Sequence, residues 1–125
     1  MNIQLGSFSI PRSLSYIPYS AALLESIIVN NEQAPKCNFL DPIWKYDDTP
    51  NPEADILGLT CYVWSQDHID QLAEKHKEQY PNTTIVYGGP NIPVSPLEWA
   101  DYQKERPWVD VFVAGSGEEI FLQLL

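Results

Sequence analysis

Apolar runs of strand length recur along this chain, and segments with helical spacing separate most of them. "NIQLGSFSI", residues 2–10, is apolar and β-branched enough for a first strand, interrupted at Gly6. "PRSLSYIP" follows as a loop punctuated by Pro11 and Pro18. "YSAALLESIIVN" is rich in helix formers and closes at Asn30-Asn31. "KCNFLDPIW" reads as a second strand broken by Pro42, and "KYDDTPNPEAD", 45–55, as an acidic loop. "DILGLTCYVW" is the most regular strand. It is almost continuously apolar from Ile56 to Cys61, as suits a parallel strand covered on both faces. Helical spacing over 66–79 places Ile69, Leu72, Ala73 and His76 on one face, with Asp70, Glu74, Lys77 and Glu78 turned away.

The second half repeats the alternation. "TTIVYGG" predicts a fourth strand. "SPLEWADYQKE" opens a helix with Ser95 as cap, Pro96 at the first helical position and Glu98 in capping-box spacing. "VDVFVAG" predicts a fifth strand, and "SGEEIFLQLL" starts a last helix with Ser116 and Glu119 in the same spacing. The order β-α-β, acidic loop, β-α-β-α-β-α implies a flavodoxin-like (Rossmann-like) doubly wound α/β fold. Its five parallel strands would run in the order 2-1-3-4-5, with helices on both faces. The last helix has barely formed at Leu125 and would leave "IFLQLL" partly uncovered. Residues 1–125 are therefore expected to be a single domain, the leading part of a longer protein or a cut-down relative of one.

Composition narrows the partners. Seventeen acidic residues against seven basic ones give a net charge of -10, which disfavours a nucleic acid or an anionic membrane. No apolar run reaches membrane-spanning length, and "MNIQLGSFSIPRS" lacks the basic start and apolar centre of a signal peptide. The two cysteines, Cys37 and Cys61, are far apart and fit a reduced, cytoplasmic chain, although a structural disulfide is an alternative. No spacing for zinc or an iron–sulfur cluster is present.

Ligands of an open parallel sheet bind outside the carboxyl ends of its strands. Here those ends are Ser9 to Ser13, including Pro11, Arg12 and Ser13; then Tyr62, Val63, Trp64 and Ser65; then Gly88, Gly89 and Pro90; and finally Gly115, Ser116, Gly117 and Glu118. Glycine allows a ligand close to the backbone, and the amides of a following helix can hold a phosphate or carbonyl. Each glycine pair is also explained by a tight turn. Tyr62 and Trp64 could both pack beneath a helix; one buried and one lining the crevice is the expectation.

"DILGLTCYVW", "IVYGGPNIP" and "VDVFVAGSGEEIFLQLL" together resemble the N-terminal cobalamin (B12)-binding domain of radical S-adenosylmethionine (SAM) enzymes. That family carries a Ser/Thr-containing loop after one strand, then "GGP", then an aspartate-led strand ending in a "GEGE"-type turn, which here reads "GSGE". The resemblance runs over nearly the whole chain, most closely from Asp55 to Leu125. It implies that the glycine loops accept the nucleotide tail of cobalamin. Arg12 and Ser13 would face the corrin, Tyr62 to Ser65 would line its underside or edge, and the dimethylbenzimidazole would lie away from cobalt. A radical SAM barrel would follow in cis if the protein is longer, in a methyltransferase-like parent.

Departures from related patterns matter as well. The Asp-x-His-x-x-Gly motif of other cobalamin domains is missing after the first strand, where "SIPRSL" holds no histidine. Asp67 and His68 are adjacent and followed by Gln71 where glycine would be needed. His68 is therefore expected on the surface, and His76 as a half-buried packing residue. No histidine of this chain would ligate cobalt. The Cys-x-x-x-Cys-x-x-Cys cluster site is absent, so this chain holds no iron–sulfur cluster and cannot cleave S-adenosylmethionine by itself.

Competing readings are a degenerate domain that kept the fold but lost the cofactor and serves as an interaction or structural module, and a phospho-receiver or flavin carrier. Ser9-Ile10 and Thr60-Cys61 stand where a receiver needs acids, and Pro11 interrupts the hydroxyl-rich loop a flavin carrier would use. Glu118 and Glu119 at a helix start are explained by the helix dipole, and Cys61 by the core. No catalytic residue and no metal ligand is expected, so this chain alone is not expected to be catalytic. Gly89→Leu is expected to abolish binding and spare the fold.

Overall fold

The computed structural model describes residues 1–9, 19–115 and 117–125, with Tyr19, Glu118 and Glu119 described in backbone only. A five-stranded sheet has the order β2-β1-β3-β4-β5, with every pair parallel. Its strands are β1 (Asn2–Ser7), β2 (Asn38–Phe39), β3 (Ile56–Thr60), β4 (Thr84–Gly88) and β5 (Val111–Phe112). The described residues also form four helices: α1 (Tyr19–Val29), α2 (Gln66–Gln79), α3 (Pro96–Lys104) and α4 (Gly117–Leu124). The order anticipated from the alternation is the order observed.

Alternate residues of each strand feed two cores. Leu57, Leu59, Ile85 and Tyr87 pack with Ile69 and Ala73 of α2 and Tyr102 of α3. Ile3, Leu5, Ile56 and Val86 face the other way, against Ala21 and Ile28 of α1 and Phe121 of α4. Strands β1, β3 and β4 are central and buried on both faces, which is why they read as unbroken apolar runs.

The departures lie at the edges. The second strand was expected over 36–44, but only Asn38–Phe39 pair, because Pro42 has no amide to donate; Ile43 rejoins through one bridge to Gly6. The fifth is likewise short, although the amides of Asp110 and Val113 still donate to the carbonyls of Ile85 and Tyr87 at 2.9 and 2.8 Å. The first strand ends at Ser7, and Gly6 does not interrupt it. Gly6 sits so close to Ile43 and Leu59 that a Cβ would lie 2.7 Å from each. The capping box at Ser95 does not form: the Ser95 hydroxyl makes no cap bond. Ser95 and Glu98 are both exposed, so the first-turn amides are open to solvent. The Ser116 box lies outside the described residues.

Candidate functional site

A half-enclosed cavity of about 350 Å³ starts at the carboxyl ends of β3, β4 and β5 and runs along the sheet face covered by α1 and α4. Five of the six glycines line it: Gly58, Gly88, Gly89, Gly115 and Gly117. Both glycine turns thus open on one cavity at one rim of the sheet. Beyond that rim the walls are hydrocarbon, from Leu5, Leu24, Val86, Val113 and Phe121. Among the described residues the side-chain polar groups belong to Thr60, Ser20 and Tyr62, which stand at the mouth. Ser20 Oγ and Tyr62 Oη lie 3.3 Å apart and bond to one another.

The glycines do different things there. A Cβ on Gly88 would meet only Val113, at 3.9 Å, and one on Gly117 only Val113, at 3.7 Å. Both positions leave space that a side chain would take. Gly89 has φ +100° and its Cβ would sit 2.8 Å from Thr60 Cγ2 and 2.9 Å from the Cys61 amide nitrogen and carbonyl oxygen. Backbone cannot yield as a flexible side chain can. The expectation that Gly89→Leu spares the fold is therefore corrected: glycine is demanded here by the turn itself. Gly115 also has a positive φ, +78°, but open space around it. Gly58 occupies the middle of β3, where a Cβ would lie 2.9 Å from Leu5 Cδ2 and 3.6 Å from the Phe121 ring. The missing Cβ lets Leu5 pack against β3 on the cavity floor.

The turn after β4 is clamped from behind. The Cys61 amide donates to the Gly88 carbonyl at 2.6 Å, and the Asn91 amide to the Cys61 carbonyl at 3.0 Å. Asn91 Nδ2 and Tyr102 Oη each donate to Gln66 Oε1 at 2.9 Å. Gln66 Nε2 in turn donates to Asp70, which also pairs with Arg106 and accepts from Tyr87 Oη at 3.0 Å. Burial pushes the Tyr87 phenol pKa up. This network lies on the α2–α3 face, so the rim is held rigidly without any of these groups entering the cavity.

Of the expected site residues, Tyr62, Gly88, Gly89, Pro90, Gly115 and Gly117 come together around the cavity. Val63 points to solvent at 78% exposure. Ser65 is fully buried and closes the 62–65 turn, its amide donating to the Tyr62 carbonyl at 3.1 Å. Trp64 stacks on Tyr62 with ring centroids 4.5 Å apart, and its indole N–H donates to the Phe8 carbonyl at 2.9 Å. The stacked pair therefore ties the chain on either side of 10–18: Trp64 to residue 8, Tyr62 to residue 20. Pro11, Arg12, Ser13, Ser116 and the side chain of Glu118 lie outside the described residues.

Two histidines need comment. His68, expected on the surface, is wedged between Phe8 and Tyr46, with centroids 4.9 and 4.7 Å away. Its Nε2 is buried without a hydrogen-bond partner among the described residues, and burial lowers its pKa. The 44–50 loop folds over the first turn of α2, which helical spacing alone does not reveal. His68 is on the α2 face, away from the cavity lining. His76 is buried beside Thr83, with Nε2 3.3 Å from Oγ1. Cys61 is a core residue whose thiol pKa burial pushes up to about 12, which removes its nucleophilic form at neutral pH. Among the described residues no group of three or more His, Cys, Asp or Glu is placed to hold a metal ion, and no helix is long and apolar enough to cross a membrane.

Sequence reasoning missed the deeper lining: Leu5, Gly58, Val86, Val113 and Phe121. The one available signal was Gly58, a glycine inside an otherwise apolar strand, which marks a close approach.

No family model matches the chain. It is 33% identical over 116 residues, 88% of its length, to the cobalamin-dependent radical SAM methyltransferase TokK of Streptomyces tokunonensis. It is also 33% identical over 122 residues, 90% of its length, to the 2-(S-pantetheinyl)-carbapenam-3-carboxylate methyltransferase of Streptantibioticus cattleyicolor. The chain spans 17% of the length of either curated relative. It is thus homologous to a segment of a cobalamin-dependent radical SAM methyltransferase and of a second methyltransferase, and the resemblance carried by its three motifs holds.

Proposed function

We propose that this chain is a cobalamin-binding module serving a radical SAM methyltransferase, with no catalysis of its own. The observation that carries the reading is the glycine-lined cavity at the carboxyl rim. Ligand pockets hold about 300–1,000 Å³, so about 350 Å³ suits a base with its sugar rather than a whole corrin. The nucleotide tail would enter between α1, α4 and the sheet, and the corrin would rest over the mouth. Gly88 and Gly117 would admit the tail, Tyr62 would border it, and the first amides of α4 would face its phosphate. Arg12, Ser13 and the 62–65 turn would stand nearest the corrin. When bound, cobalamin supplies a carrier for a methyl group; this chain's residues hold and orient it. The barrel with the iron–sulfur cluster would be another part of the same protein.

A degenerate domain would be expected to fill the slot with its own side chains. Of the side chains that could do so, Ile92 packs in the α2–α3 core, Val94 and Trp64 are exposed, and Tyr62 borders the mouth, bonded to Ser20, while about 350 Å³ stays open. The test is a visible-absorbance titration of the purified chain with hydroxocobalamin. A saturating change in the corrin bands is expected. A flat titration sinks the reading and leaves the interaction module. Gly88→Leu should weaken binding at least about tenfold by filling the slot, with an unchanged circular-dichroism spectrum; wild-type affinity in that variant would remove the tail from this cavity.

A further inference from the structure

We propose that the cavity discriminates among cobamides by their lower base, accepting a methylated benzimidazole and disfavouring a purine. The inference rests on the cobalamin reading above and goes further, to the chemistry of the tail. Cobamides share the corrin, ribose and phosphate and differ in the base at the end of the tail, which is the part that would reach deepest.

The depth of this cavity has a definite chemistry. Leu5, Leu24, Val86, Val113 and Phe121 supply its walls, and Gly58 leaves the floor without a side chain, with Leu5 packed close over it. Leu5, Val86, Val113 and Phe121 are each at most 5% exposed. The backbone groups of Gly58 and Val86 lie within the β1–β3–β4 ladders, so the floor has no spare donor or acceptor there. Among the described residues the lining hydroxyls are those of Thr60, Ser20 and Tyr62, at the carboxyl rim, where sugar and phosphate would lie. A dimethylbenzimidazole presents two methyl groups and C–H edges to such walls, with one ring nitrogen as its sole acceptor. An adenine presents an exocyclic amine and ring nitrogens, which would leave water and find no partner. Size does not separate the two bases well; hydrogen-bonding capacity does.

The experiment compares three dicyano corrinoids by equilibrium titration of the chain: dicyanocobalamin, the dicyano form of the adeninyl cobamide, and dicyanocobinamide, which has no nucleotide tail. In the dicyano forms both bases are already off the cobalt, so the cost of detaching them drops out. Dicyanocobalamin is expected to bind about 10–100-fold more tightly than the adeninyl form, the range an apolar pocket gives against an added polar group. Equal affinities, with cobinamide much weaker, would overturn the base preference while leaving the tail in the cavity. Cobinamide binding as well as cobalamin would overturn it by taking the tail out of the cavity. Binding of none of the three would instead sink the cobalamin reading and this inference with it. Val113→Thr keeps the side-chain shape and adds one hydroxyl to the wall. It is expected to narrow the preference at least about threefold; an unchanged ratio in a folded variant would show that the wall does not read the base.

Discussion

Gly88 and Gly89 are adjacent and identical in sequence, yet the structure gives them opposite tolerances. Gly88→Ala adds a methyl group that meets only Val113 at 3.9 Å, whereas Gly89→Ala forces φ +100° on a side chain and drives it into the Cys61 backbone. Urea unfolding should show Gly88→Ala within about 1 kcal/mol of wild type and Gly89→Ala destabilised by roughly 1–3 kcal/mol. Equal losses would mean that the turn relaxes freely. The doubled glycine was legible as punctuation; which one shapes the turn and which one opens the slot was not, because the answer depends on residues nearly thirty positions away. His68 teaches the same lesson with charge. Burial lowers the pKa of both His68 and His76 from the ordinary 6.5. The folded state therefore favours neutral imidazole, and the stability this gives is present above pH 6.5 and lost as pH falls toward the folded value. Stability measured from pH 8 to pH 5 should hold above neutrality and decline below about 6.5. His68→Phe, which suits a ring already packed on Phe8 and Tyr46, should make that decline shallower. An unchanged slope would exonerate His68.

At the scale of elements, the central strands and α2 were readable because burial on both faces, or on one stripe, writes itself into local periodicity. The two edge strands were over-read: "KCNFLDPIW" and "VDVFVAG" are apolar enough for strands but pair over two residues each. Their apolar side chains cover helices and neighbours rather than lengthen the ladder. What no local pattern could show is how α2 is bound to the turn before β5. Asp70 pairs with Arg106, thirty-six positions away, at 3.1 Å, and Arg106 lies over the Tyr102 ring at 3.8 Å. Their side chains are 19% and 12% exposed, so the pair is largely out of water. Asp70→Ala would strand the guanidinium beside Tyr102, Tyr87 and Gln66. We expect a loss of about 3 kcal/mol in urea unfolding. Because Gln66 also holds Asn91, the turn carrying Gly89 should loosen, and hydrogen exchange at residues 88–92 should rise. Protection there equal to wild type would separate the network from the rim. Asp70→Asn, which keeps the shape and one acceptor, should lose less.

Over the whole molecule, the charge argues about ligands as strongly as the cavity does. A net charge of -10 on 125 residues gives a net field that disfavours the approach of polyanions. That field favours a ligand whose own charges cancel, and methylcobalamin is such a ligand, its single phosphate balanced within the molecule. A flavin mononucleotide, with a terminal phosphate dianion, is not. Exposed charges act through solvent over roughly 10 Å at 0.1 M salt, and salt removes most of that influence. Binding carried by apolar walls and glycine-lined backbone should therefore ignore salt, and binding carried by charge should not. The affinity for methylcobalamin is expected to change less than about twofold between roughly 0.05 and 0.5 M sodium chloride. Flavin mononucleotide should fail to bind at low salt. If methylcobalamin affinity instead fell steeply with salt, the binding energy would have to come from ion pairs. The tail would then be held by its phosphate rather than by the slot, and Gly88→Leu would lose its effect together with the argument from the cavity.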